Sequence, residues 1–155
     1  MPYWLFKSEP DCYGIQHLAA EPRQTTRWDG IRNYQARNLL RDQIAEDDTV
    51  LFYHSRCKAM GIVGTAKVVS GAYPDPLQFD SSSLYFDGKS CLETPRWFSV
   101  DIQLQEVFAQ VISMQTIKHI QALDNMVLRK QSRLSVQPVT EQEFKILIQL
   151  KNSMH

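Results

Sequence analysis

Apolar and polar positions alternate most cleanly between Arg96 and Phe108. Phe98, Val100, Ile102 and Leu104 fall on one side of an extended chain, and Ser99, Asp101, Gln103 and Gln105 on the other. A period of two predicts a strand with one face on the core. Thr49-Val50-Leu51-Phe52-Tyr53-His54 is β-rich and mostly apolar, which predicts a strand buried on both faces. Residues 61–69, with Ile62, Val63, Val68 and Val69, predict its hairpin partner across a turn at 55–60. Gly61 and Gly64 in that partner predict a bulge or a close backbone approach. Residues 2–6 predict an opening strand, ended by Lys7-Ser8-Glu9-Pro10 because proline cannot continue a ladder. Residues 132–136 predict a closing strand.

Helical spacing appears between these strands. Residues 14–20 predict a short helix carrying Ile15 and Leu18, and Ile117, Ile120 and Leu123 mark another. Residues 125–130 add a further turn, and Thr140-Glu141-Gln142-Glu143 is a capping box. The capping box opens a last helix with Phe144, Leu147 and Ile148 on one face, followed by a frayed tail at 151–155. From Ser70 to Thr94 the pattern is irregular, with Pro74, Pro76, Gly88 and the aromatics Tyr73, Phe79, Tyr85 and Phe86. A long aromatic-bearing loop of this kind is expected to fold over the body of a domain. Strands lead, helices interrupt and hairpin neighbours are frequent, which predicts an α+β fold: roughly five or six strands curling into a barrel flanked by short helices. Residues 1–150 read as a single domain.

The densest polar chemistry lies in Arg27-Trp28-Asp29-Gly30-Ile31-Arg32-Asn33-Tyr34-Gln35-Ala36-Arg37-Asn38. Gly30 reads as a turn able to take positive φ, and Asn33 as the N-cap of a helix. Tyr34, Arg37, Asn38 and Arg41 share one face of that helix, while Leu39, Leu40 and Ile44 anchor the adjoining face. Side-chain amides, guanidinium groups and an indole at a rigid helix start suit a planar polar ligand near an anion. Read blandly, the same aromatics are core residues and the arginines a solvated face.

Hydrophobic content of 43% and charged content of 22% are ordinary for a soluble globular domain. Net charge is zero, which argues against a histone-like binder of long nucleic acids. The charge is nonetheless uneven. Segments 27–41, 54–58 and 129–133 hold nine of the 17 basic residues with Asp29 as their one acid. Brought together they make a basic face; kept apart they are three solvated patches. No run approaches the roughly 18 apolar residues of a membrane span, and the start of the chain does not resemble a signal peptide. Cys12, Cys57 and Cys91 are odd in number and widely spaced, which predicts a reducing compartment, with the cytoplasm as the default. His17, His54, His119 and His155 lack metal-ligand spacing, so no metal is expected. His54 with Cys57 is the one tempting nucleophilic pair, and a hydrogen-bonding His54 beside an inert Cys57 is the simpler reading. Asp75 and Asp80 read as solvated loop acids rather than paired carboxylates. No phosphate-binding loop, GxSxG or dinucleotide fingerprint is present, so no catalytic residue or cofactor is expected and binding is favoured over turnover.

Several of these stretches together resemble the EVE domain family. They are Lys7-Ser8-Glu9-Pro10, the Trp28–Asn38 segment, Phe52-Tyr53-His54-Ser55, Gly61-Ile62-Val63-Gly64 and Tyr73-Pro74-Asp75, with Pro95-Arg96-Trp97 and the stretch from 132 to Val139. The resemblance runs in order along essentially the whole chain. It implies a PUA-like open β-barrel with helices and a pocket that takes one flipped base between aromatics. The implied partner is DNA or RNA carrying a modified base, modified cytosine above all, and no membrane. Matching positions place Lys7, Ser8, Trp28, Arg32, Asn33, Tyr34, Asn38, Tyr53, His54 and Ser55 in or beside the pocket. Trp28 is the candidate for stacking, Asn33 and Ser8 for the base edge, and Lys7 and Arg37 for phosphate. Arg133 and Ser135 are candidates for phosphate or edge contacts. An enzyme acting on a modified base or nucleotide, or a sensor of free nucleoside, would use the same equipment, since fold does not fix function.

Overall fold

The structure is a computed structural model and describes residues 2–131 and 133–154. Strand β1 (Tyr3–Ser8) leads into the short helices α1 (Pro10–Tyr13) and α2 (Ile15–Ala20), then β2 (Thr25–Trp28) and α3 (Tyr34–Asp42). The hairpin β3 (Thr49–His54) and β4 (Gly61–Val68) follows, then the two-residue β5 (Tyr73–Pro74) and the long β6 (Phe98–Ser113). Helices α4 (Met114–Lys118) and α5 (Val127–Lys130), strand β7 (Val136–Val139) and helix α6 (Glu141–Ser153) complete the chain.

The strands form one open mixed sheet in the order β2-β6-β4-β3-β1-β7, with β5 also pairing β6. Among the described residues that makes seven strands, more than the five or six expected. The strands with no counterpart in the sequence pattern are the four-residue β2 and the two-residue β5, both too short to leave a periodic signature. The α+β class and the open curled sheet are as expected. β1 pairs β3 in parallel, and β7 lies antiparallel on the other side of β1.

β1 and β3 are buried on two faces, and their side chains sort alternately into two cores. Trp4, Phe6, Val50 and Phe52 face α2 and α3, with Leu18, Trp28 and Leu40. Leu5, Leu51 and Tyr53 face the opposite way, toward Ile62, Ile112 and Leu147. A core on each face explains why the β3 sequence is a nearly continuous apolar run.

Gly64 sits where β4 crosses its neighbours: a Cβ there would lie 2.3 Å from the Glu106 carbonyl oxygen and 2.3 Å from Ile15 Cδ1. Pairing slips on both sides of this glycine, between Phe52 and Tyr53 on β3 and between Ile62 and Gly64 against β6. Bulges of this kind bend a sheet and increase its local twist.

Some boundaries differ from the sequence pattern. β1 continues to Ser8, because Pro10 opens α1 at its first turn, where a missing N–H costs nothing. β6 begins at Phe98 and runs 16 residues, past Phe108 to Ser113, because its second half still pairs with β4. Ser99, expected on the polar side, is buried where β5 covers it. The closing strand is Val136–Val139 rather than 132–136, and Ser132 lies outside the described residues. α6 carries the predicted capping box and continues to Ser153, so the chain is helical through most of the expected tail, whose last residue, His155, lies outside the described residues.

Candidate functional site

The carboxyl ends of β1 and β3 lie side by side, next to the lead-in to β7, and Trp28 at the end of β2 reaches the same region. The parallel register sets Lys7 opposite Tyr53 and Ser8 opposite His54. The Lys7 amide donates to the Ser135 carbonyl at 2.9 Å, and the Ser55 amide donates to the Ser8 carbonyl at 2.9 Å. Around these residues lie two cavities of about 830 and 540 Å³ that share Lys7, Ser8, Glu9 and Ser135, and so form the two lobes of one cleft.

Aromatic walls define the smaller lobe. Trp28 reaches it from the end of β2, Tyr13 from α1, and Tyr85 from the long loop. The Trp28 ring also packs 5.2 Å from Phe6 and edge-on to Phe52 at 5.5 Å, so it belongs to the core as well as the cavity wall. The Tyr13 hydroxyl is buried and finds no hydrogen-bond partner among the described residues. Ser8 Oγ donates to the Tyr13 carbonyl at 2.6 Å.

The turn after Trp28 is built by a distant residue. Gly30 takes φ +76°, as the sequence predicts, and its amide donates to Asp75 Oδ2 at 2.8 Å. Asp75 Oδ1 accepts from the Leu77 amide at 2.8 Å, and Arg32 Nη1 bonds Asp75 Oδ2 at 3.0 Å. The expectation that Asp75 is a solvated loop acid fails: it is fully buried. Arg32 also donates to the Tyr85 carbonyl at 2.8 and 3.1 Å, and its guanidinium lies 5.4 Å from the Tyr85 ring centre and 5.3 Å from that of Trp97. These contacts hold Tyr85 against Gly30, where a Cβ would meet the ring at 3.0 Å. Gln78, fully buried, bonds the Trp97 carbonyl and accepts from the Trp97 amide, so the loop is ordered by polar contacts as expected of a fold-over segment.

In the larger lobe Tyr53 lies under Lys7, whose Nζ is 5.6 Å from the ring centre. Burial, and then the nearby Arg56 charge, pulls the Lys7 amine below its ordinary range. Burial pushes the Tyr53 phenol up. Ser55 and Arg133 line the same lobe.

Seven of the residues singled out in sequence therefore meet at the cleft: Lys7, Ser8, Trp28, Tyr53, Ser55, Arg133 and Ser135. The others take different places. Asn33 caps α3, accepting from the Ala36 amide at 3.0 Å, and lines a separate cavity of about 370 Å³ that also touches Arg133. Arg32 is the clamp just described. Tyr34 stacks 4.8 Å from Trp97. Arg37 lies over the Tyr34 ring and donates to the Arg96 carbonyl and to Asn38 Oδ1, which fixes the entry to β6. His54 Nε2 accepts from the Ile15 amide at 3.0 Å and joins β3 to the start of α2. Glu9, Tyr13, Arg56 and Lys118 line the cleft without having been named as site residues in sequence; Glu9 adjoins Lys7 and Ser8, and Arg56 lies in the basic segment 54–58, which here meets Arg133 of segment 129–133. Among the described residues no group of three or more His, Cys, Asp or Glu side chains is placed to hold a metal, and no helix is long and apolar enough to cross a membrane.

Burial holds the His54 imidazole below its usual 6.5, and the bond from Ile15 needs its neutral form. A histidine whose folded pKa is depressed gives its full stabilisation above the unfolded value and loses it as pH falls from there through the folded value. Stability is therefore expected to decline as pH drops below about 6.5, and His54→Gln should flatten that decline. Urea midpoints at pH 7.5 and 5.5 test this; equal pH slopes in wild type and variant would refute it.

The family model of the EVE domain matches residues 2–150. The chain belongs to the EVE domain family. It is 42% identical to mouse thymocyte nuclear protein 1 over 168 residues, spanning 97% of this chain and 74% of that protein. A solved structure of human THYN1 protein in complex with 5-methylcytosine-containing DNA is 40% identical and superposes with a TM-score of 0.93, over 97% of this chain and 98% of that one. A Leishmania major protein of known structure is also 40% identical, with a TM-score of 0.93 over 99% of this chain and 96% of that one. An ASCH protein from Zymomonas mobilis, at 13% identity and TM-score 0.57 over 96% of this chain and 97% of that one, shares the fold alone.

Proposed function

We propose that this EVE domain is a non-catalytic reader of DNA that takes a modified cytosine, flipped from its strand, into the smaller lobe of the cleft. The observation that carries this reading is the lobe itself, with Trp28, Tyr13 and Tyr85 as walls beside the polar Lys7-Ser8-Glu9 stretch at the end of β1. The human relative's complex with 5-methylcytosine DNA supports the choice of ligand. Flat aromatic walls hold any base by its π-face, so the polar groups must supply the selection. Ser8 is informative here. Its hydroxyl proton is committed to the Tyr13 carbonyl, which can only accept, so toward a ligand Ser8 offers lone pairs alone. An acceptor suits the exocyclic amino group of cytosine and not the carbonyl that thymine carries in that place. Unstacking the base costs a few kcal/mol, least at a mismatch or in a single strand.

Binding is tested with short oligonucleotides that differ at one position, carrying cytosine, 5-methylcytosine, 5-hydroxymethylcytosine or thymine, followed by the intrinsic tryptophan signal. A preference for one modified cytosine over both cytosine and thymine is expected, with the oligonucleotide recovered chemically intact. Equal affinity for all four would overturn the reader, and conversion of the base would make the protein an enzyme.

A further inference from the structure

The larger lobe carries charge for which base reading has no use. Lys7, Arg56, Lys118 and Arg133 line it, brought from β1, the β3–β4 turn, α4 and the lead-in to β7, and Glu9 is its one acid among the described residues. Several cations elsewhere are neutralised within the chain, as in Arg27–Asp29, Arg41–Asp42, Lys67–Asp47 and Lys151–Glu106. The side chains of Lys118 and Arg133 make no hydrogen bond or ion pair with any described residue; the same holds for Arg23, Lys58, Lys89 and Lys130, but Lys118 and Arg133 converge with Lys7 and Arg56 on one cavity. Convergence of like charges is unfavourable unless an anion joins them. Met60, Met114 and Leu128 give the same lobe an apolar floor, so the site is shaped for an anion attached to a carbon skeleton rather than for a bare ion.

The lobe's position identifies that anion. Lys7, Ser8, Glu9 and Ser135 belong to both lobes, so a nucleotide with its base in the smaller lobe has its sugar and phosphate at the shared rim. The chain leading away from it enters the cationic lobe. Glu9 stands at that rim, and its carboxylate holds Arg56 at 3.2 Å although the arginine side chain is 85% exposed. An arriving phosphate must compete with Glu9 for Arg56 and is repelled by it.

We propose that the larger lobe is a phosphodiester subsite for the strand flanking the flipped base, and that Glu9, by occupying Arg56, holds its strength down. The inference rests on the proposed base reading for the choice of ligand, and its test separates the two. Dissociation constants of the full chain are measured from 50 to 200 mM salt, with oligonucleotides carrying 5-methylcytosine or cytosine at one position. Each phosphate contact contributes about 0.7 to 0.9 to the slope of log affinity against log salt. Lys118→Ala and Arg133→Ala are each expected to weaken binding about threefold or more at low salt and to flatten the slope by about that amount. The ratio between modified and unmodified oligonucleotides should stay unchanged in both. Glu9→Gln is expected to tighten binding about threefold and to steepen the slope by a similar amount, because Arg56 is released. Both cations lie on the surface, and melting temperatures confirm folding. Unchanged slopes in both alanine variants would overturn the subsite, and unchanged affinity in Glu9→Gln would overturn the role of Glu9. A wild type with no preference for the modified base, yet slopes that fall in the variants, would overturn the base reading and leave the subsite standing.

Discussion

Trp28→Ala is expected to cost about 3–5 kcal/mol of folding stability, the usual penalty for truncating a buried tryptophan. The indole is 7% exposed, tilts onto Phe6 at 5.2 Å, and meets Phe52 and Tyr13 edge-on at 5.5 and 6.5 Å. Its removal opens a hole between β1, β2 and β3 that the rigid sheet cannot close. Against a typical total of about 5–15 kcal/mol, that loss puts much of the protein near its unfolding transition. Lost DNA binding in this variant would therefore say little about stacking. Trp28→Phe keeps an aromatic against Phe6 and is expected to stay folded while surrendering the wider face of the indole. Its loss of affinity for the modified oligonucleotide should fall at or below the roughly 1–3 kcal/mol that alanine substitution of a stacking aromatic removes. Urea midpoints for both variants, with titrations of the phenylalanine form, make the test. An alanine variant within about 1 kcal/mol of wild type would show that the core does not depend on this ring.

The double role of Trp28 shows where sequence reasoning reaches and where it stops. Local signals carried far: the alternation in β6, the two-faced run in β3, the Gly30 turn, the Asn33 cap and the Thr140 capping box all depend on neighbours within a few residues. The cleft depends on pairs far apart in the chain. Arg32 reads as ligand equipment because its guanidinium lies in a segment rich in polar groups. It is instead consumed by Asp75, 43 positions away, and by the Tyr85 carbonyl, 53 away. Asn33 spends its amide oxygen on its own cap, and Arg37 donates to the Arg96 carbonyl and to Asn38 Oδ1. Arg56 and Arg133 come from two of the three basic segments and do meet in one lobe, whereas Lys118 passes unnoticed because singly it looks like a solvated charge, and Glu9 appears in the sequence only as part of the Lys7-Ser8-Glu9-Pro10 stretch. Of the residues the family resemblance places in or beside a pocket, Lys7, Ser8, Trp28, Tyr53, Ser55, Arg133 and Ser135 line this cleft, while Arg32, Asn33, Tyr34, Arg37, Asn38 and His54 do not.

Asp75 is such a holding residue, and Asp75→Ala is expected to lose about 3–5 kcal/mol of stability, the range for removing one partner of a buried ion pair. Its two oxygens divide the work: Oδ1 takes the Leu77 amide, while Oδ2 takes the Gly30 amide and the Arg32 guanidinium. Truncation strands two backbone N–H groups and a guanidinium whose side chain is only 21% exposed. Asp75→Asn should rescue little. An amide has one accepting oxygen, so whichever way it turns, its NH₂ faces a donor. The pair also ties stability to the cleft, because Arg32 holds the Tyr85 carbonyl and Tyr85 walls the smaller lobe against Gly30. Asp75→Asn, studied at a temperature where it remains folded, is therefore expected to bind the modified oligonucleotide more weakly than wild type although Asp75 lies outside the cleft walls. The double variant Asp75→Ala with Arg32→Ala decides whether the two act as a unit. Removing both charges should cost clearly less than the sum of the single losses, a coupling of about 0.5–3 kcal/mol by denaturation. Strict additivity would mean that Asp75 and Arg32 act independently, with Arg32 holding the Tyr85 carbonyl whether or not Asp75 is present.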